Sequence, residues 1–192
     1  MFRRLSLLTT LCLLAAAGVA RSTTVIPPTF DQLVAEAQTV FVSEVMNVRA
    51  EWEATPSGRA IVTLVTFRVE DVWKGNVGAV TQLEFLGGEI GEIGMKVEGM
   101  PVFRLGQRDV LFVGSAVRTV SPLVGFMHGR MRVERDTVSG IDRVRTFDGR
   151  ALGSVTQIGP QSAAPSLASI TPMRLSDLAS AVRSRAAAAR QR

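Results

Sequence analysis

The sequence predicts an all-β fold: a small closed or partly closed barrel, with a short helix before it and a basic helix after it. Three observations predict this. Residues Ile61–Gly75, IVTLVTFRVEDVWKG, alternate with a period of two. Thr63, Val65, Phe67 and Val69 fall on one side of an extended chain, and Thr66, Arg68 and Glu70 on the other. Further stretches of the same character flank this one at short spacing, and Gly, Asn, Asp and Pro separate them.

The N-terminus is expected to lie outside that fold. Arg3 and Arg4 precede the apolar Leu5–Leu14 and a small-residue region ending at Ala20, the layout of a cleaved signal peptide over residues 1–20. The apolar run is short for a membrane span, which needs about 20 apolar residues. Cys12, the one cysteine, follows Leu11 rather than the small residue expected before a lipid-bearing cysteine. The mature chain would then hold no cysteine, which excludes thiol chemistry, thiolate–metal sites and c-type haem attachment.

Charge is unevenly placed. Without Arg3 and Arg4 the formal charge falls from +5 to +3; with the +4 of residues 172–192 set aside, residues 21–171 carry −1. A near-neutral body lacks the basic face of a nucleic-acid binder, so no nucleic-acid partner is expected. The basic C-terminus leaves open a peripheral attachment to an acidic envelope surface.

Taken in order, Pro27-Pro28 ends an extended leader, and Thr29 can cap a short helix over Phe30–Gln38. The first strand is expected over Thr39–Arg49, followed by a polar loop Glu51–Gly58 that holds Trp52 and Pro56. The Ile61–Trp73 strand returns antiparallel. The successive polar residues Glu70 and Asp71 break its alternation and mark a β-bulge or a strand end. Val80–Leu86 is a third strand, with Thr81, Leu83 and Phe85 inward.

Gly87–Gly94 has the glycines of a phosphate cradle but no following Lys-Ser/Thr, and Glu89 and Glu92 would repel phosphate; a hairpin or bulge connection is expected. Ile93, Met95 and Val97 alternate as a fourth strand. Val110–Val113, four apolar residues in succession, suits a strand covered on both faces. Leu123–Phe126, Gly129–Glu134 and Ile141–Phe147 complete the strands. The barrel domain thus spans residues 21–148. A flexible linker rich in Gly, Ser, Ala, Gln and Pro is expected over 149–170. A basic amphipathic helix follows over 171–192, capped at Thr171-Pro172, with Leu175, Leu178, Ala179 and Val182 on one stripe. It could pack on the barrel, dock a partner or stay solvated.

The order of a helix, Val40-Phe41-Val42-Ser43-Glu44-Val45, Phe67-Arg68-Val69, Val72-Trp73-Lys74-Gly75, and Leu105-Gly106 before Val110-Leu111-Phe112-Val113 resembles the netrin-like module. That module is the OB-type barrel of the tissue inhibitors of metalloproteinases and of related bacterial exported proteins. The resemblance covers about residues 30–115 and implies an OB-like barrel with a binding role. Its partner would be a protein in the exported compartment, a protease among the candidates. Family inhibitors act through a free N-terminal cysteine and are stapled by disulfides; this chain has neither, so that mechanism carries over to no residue here.

No catalytic motif emerges. His128 is the sole histidine, which is too few for a usual zinc site, and no Gly-x-Ser-x-Gly elbow supplies a nucleophile. No metal or cofactor is expected. The expected function is an exported, non-enzymatic binding module of open oligomeric state. Trp52, Trp73, Glu89 and Glu92 are its candidate contact residues. A hydrolase centred on His128 and an envelope protein held by its basic helix are the alternatives.

Overall fold

The computed structural model describes residues 26–55, 58–115, 120–160 and 170–191. The expected signal peptide at residues 1–20, Pro56 of the expected loop and residues 161–169 of the expected linker lie outside the described residues.

The long hairpin organises everything else. Strand β1 (Thr39–Thr55) pairs antiparallel with β2 (Gly58–Lys74), from Val40 opposite Lys74 to Thr55 opposite Gly58. Residues 51–55 and 58 are therefore strand rather than the expected loop; Glu51 and Glu53 read as polar loop residues because this arm, exposed from Glu51 to Ala54, stands out into solvent. β3 (Val80–Leu86) pairs with β2. β6 (Arg108–Val113) pairs with the start of β1, followed outward by β7 (Arg130–Arg135) and β8 (Asp142–Thr146). The order β3-β2-β1-β6-β7-β8 makes one six-stranded antiparallel sheet. It does not close on itself: β3 and β8 are its outer strands, where the strand pattern predicts a closed or partly closed barrel. β4 (Gly88–Ile90) and β5 (Ile93–Met95) form the expected hairpin, and the fourth strand ends at Met95, two residues short of Val97.

The bulge foreseen at Glu70-Asp71 is present. Pairing slips by one residue between Val42 and Ser43, at Glu70, and again between Val40 and Phe41, at Trp73. The slip turns Trp73 toward one face of the sheet and Val72 toward the other. Trp73 is consequently buried, not exposed as its candidacy for binding requires, and its indole N–H donates to Asp71 at 2.9 Å.

Each face carries its own core. On one, helix α1 (Phe30–Glu36) and helix α2 (Leu175–Arg190) cover Val40, Val42, Val110, Phe112, Met131 and Val144. On the other, Phe41, Val45, Val65, Phe67, Phe85 and Leu111 pack under Phe103, whose ring meets Phe67 at 5.3 Å and Phe85 at 4.9 Å.

Thr29 caps α1 in a capping box with Gln32, and the helix stops at Glu36. There Lys74 Nζ donates to the carbonyls of Val34 at 2.5 Å and Ala37 at 2.6 Å, satisfying helix-end acceptors. Gly75 follows with φ of 75°, and a Cβ there would stand 2.3 Å from the Gln38 carbonyl oxygen. Lys-Gly at this position is thus a local structural device joining β2 to the first helix.

Gly125, at φ 64°, turns the chain out of the strand expected at Leu123–Phe126 and into a 3₁₀ turn, Phe126–Gly129. Residues 149–160, expected as part of a linker, are fastened to the sheet: Leu152 is in the helix-side core, and its carbonyl accepts from Met173 N at 2.7 Å. Met173 in turn accepts from Val144 N, so residues 173–174 run extended beside β8. That pairing places the start of α2 after Arg174 rather than at Thr171-Pro172. α2 packs on the sheet through Leu178, Ala179, Val182 and Ala186, and the ion pairs Arg183–Asp71 (2.7 Å) and Arg185–Asp31 (2.6 Å) tie it to β2 and α1.

Candidate functional site

β1 is 17 residues long, but β6 pairs only with Thr39–Glu44. Val45 adds two bonds, accepting from Gly106 N and donating to Gln107 O, both 2.9 Å. Beyond it, among the described residues, no strand pairs with the outer edge of β1. Met46, Val48 and Trp52 on this stretch are 49%, 36% and 39% exposed. The edge thus offers unpaired backbone groups beside an apolar stripe, while Arg49, Glu51 and Glu53 alternate with it on the opposite face. Arg49 and Glu51 form an exposed ion pair along the strand at 3.0 Å.

Of the four contact residues expected from sequence, three gather at this end of the molecule. Trp52 pairs with Ile61 across the hairpin, and the Arg59 guanidinium lies 4.9 Å from its ring centroid. β4 sits directly above, so close that a Cβ on Gly88 would meet Thr63 Oγ1 at 2.5 Å and Ala50 Cβ at 3.2 Å. The β4–β5 hairpin carries Glu89 and, at its turn, Glu92. The Glu84 carboxyl on β3 is pushed up by burial and then by Glu53 and Glu51. This end is therefore acidic as well as apolar. Trp73 lies elsewhere, twelve residues along β2 from Ile61, roughly 40 Å at strand rise.

Trp73 belongs to a second place, a cavity of about 470 Å³ between the sheet and α2, lined by Val42, Glu70, Asp71, Trp73, Leu175 and Arg183 among others. Its acids are already engaged. Arg108 bridges Glu70 at 2.7 Å and Asp142 at 2.9 Å, and Asp71 holds Arg183 and the Trp73 indole.

His128 stands in the 3₁₀ turn with its ring edge-on to Phe147 at 5.0 Å. Burial lowers its pKa, Asp148 pulls the other way and Arg150 reinforces the lowering. A cavity of about 160 Å³ beside it is lined by Thr146, Arg150 and Gln157 among others, and among the described residues no serine is in that lining. Among the described residues no group of three or more His, Cys, Asp or Glu is placed to hold a metal, and no helix is long and apolar enough to cross a membrane.

Sequence reasoning missed one buried charge pair. Arg130 and Asp109, 2% and 0% exposed, pair at 2.9 Å beneath Phe103. Arg130 also donates to the Val102 carbonyl at 2.6 Å, and its guanidinium lies 4.4 Å from the Phe103 ring centroid. Burial pushes the Asp109 carboxyl up, against the pull of Arg130 and Arg132. Arg130 and Arg132 alternate with Met131 and Val133, a pattern that signals a solvated face unless something distant covers it.

No family model, curated protein or solved structure matches this chain.

Proposed function

We propose that the protein is an exported, non-enzymatic interaction module that takes an extended protein segment as an added strand along the free outer edge of β1. One observation carries this reading: a 17-residue strand whose far half has, among the described residues, a partner on one side only, flanked by exposed Met46, Val48 and Trp52. Strand addition uses such an edge, backbone hydrogen bonds giving affinity and alternate side chains giving selectivity. Export rests on the signal-like residues 1–20. In the same reading the sheet is an open relative of the OB-like, netrin-like module. The supports are a helix leading into β1, a long β1–β2 hairpin ending in Trp73-Lys74-Gly75, and β6 returning beside β1.

The test is capture of exported proteins by residues 21–192, compared with the Trp52→Lys variant, followed by hydrogen exchange on the recovered complex. A stoichiometric protein that protects amides in residues 46–54 and is lost on Trp52→Lys supports the reading. Capture that leaves those amides unprotected sends the binding surface elsewhere and refutes it.

A further inference from the structure

We infer that the strand seated on this edge is β1 of a second copy of the chain, paired antiparallel about a two-fold axis at Ala50; the inference rests on the edge being the binding surface. A strand that pairs antiparallel with its own copy must be self-complementary, because the same patch serves both partners. Centred on Ala50, the pairing sets Arg49 opposite Glu51 of the second copy, and Glu51 opposite its Arg49. Val48 meets Trp52, Asn47 meets Glu53 and Met46 meets Ala54. Opposite charges face each other on one side of the sheet, and β-branched faces aromatic on the other, both favourable cross-strand pairs. Centred one residue either way, the pairing places Glu51 against Glu51 or Arg49 against Arg49. Of these three registers, the one on Ala50 avoids both.

The backbone agrees with this register. Val45 turns its N–H and C=O outward, to Gln107 and Gly106. The extra residue at Met46, where the β1–β2 pairing slips, moves the outward set to even positions. Val48, Ala50 and Trp52 then present the hydrogen-bonding groups that an antiparallel pair exchanges. Space agrees as well: Gly106, Gln107 and β6 hold the edge only as far as Val45, so the second copy's strand, from opposite Met46 onward, would lie end to end with that segment along the same edge. Each six-stranded sheet becomes half of a continuous one. Nine residues a side is a small contact, so association in about the micromolar range is expected.

The experiment is sedimentation velocity from about 1 µM to about 1 mM on residues 21–192 and on the variants Arg49→Glu and Glu51→Arg. Both positions are exposed, at 61% and 46% for the side chains, so the fold tolerates the exchange. The wild type should dimerise, and each variant alone should associate at least about tenfold more weakly, since each creates two like-charge pairs per dimer. An equimolar mixture of the two should recover association. One partner strand is then acidic at both positions and the other basic at both, so opposite charges face each other again. A wild type monomeric throughout overturns the inference, as does a mixture no tighter than its components. Should the wild type stay monomeric yet capture another protein through residues 46–54, the inference fails while the edge remains the binding surface.

Discussion

Replacing Arg130 with methionine should be among the most damaging single changes in this protein. Methionine fills a similar volume but leaves the Asp109 carboxylate buried without its cation. Breaking a buried pair in this way costs about 3–5 kcal/mol. The lost bond to the Val102 carbonyl and the lost contact with the Phe103 ring add to it by about 1 kcal/mol each, not independently. Against a typical total of about 5–15 kcal/mol, the variant should lie near the limit of folding. The double variant Asp109→Leu/Arg130→Met removes the charge as well as its partner and should recover most of the loss, since an apolar pair of similar volume is often as stable.

The deficit should also depend on pH. Burial raises the folded-state pKa of Asp109, so its contribution is fully present below the ordinary aspartate range and is lost as pH rises through the raised value. Without Arg130 that loss deepens, so Arg130→Met should be less impaired near pH 4 than near pH 7. Urea denaturation of the wild type, both single variants and the double variant at the two pH values decides the matter. An Arg130→Met cost under about 1 kcal/mol, or a double variant worse than Arg130→Met, would refute the reasoning.

Three further outcomes follow from local surroundings. Because burial lowers the His128 pKa in the fold, its contribution is present above the ordinary histidine pKa and is lost as pH falls through the lowered folded value; in His128→Leu the decline in stability from about pH 7 to pH 5 should be shallower than in the wild type. Gly75→Ala should cost about 2 kcal/mol or more in thermal unfolding, from positive φ and a Cβ driven against Gln38 and Thr39. Gly106→Ala, with positive φ but open space, should cost about half that.

Local pattern makes the elements legible and leaves their assembly hidden. β3 falls on the residues its alternation indicates, the Glu70-Asp71 irregularity is a true register slip, and the stripe Leu178, Ala179, Val182 faces the core. Trp73 reads as exposed because the polar Glu70 and Asp71 end the visible alternation before it; the slip at Glu70 moves it to the side opposite Val65 and Phe67, and the helices that bury that side come from distant segments. Residues 51–55 and 58 read as loop because Glu51–Ala54 face solvent in succession and two of them are charged. Arg130 reads as exposed because its cover, Phe103, comes from a segment 27 residues away in sequence. The free edge is the least legible feature. It follows from where β6 stops, which is a matter of non-local pairing, so Trp52, Glu89 and Glu92 can be named without the edge they flank.

The most direct test of the edge as a binding surface is amide hydrogen exchange along β1, measured on residues 21–192 at low and high protein concentration. If the outer edge is first filled by a second copy, the amides of Val48, Ala50 and Trp52 should gain protection as concentration rises. Those of Asn47, Arg49 and Glu51, already bonded toward β2, should change little. Rapid exchange at Val48, Ala50 and Trp52 at every concentration, with no gain when any captured protein is added, would contradict the claim.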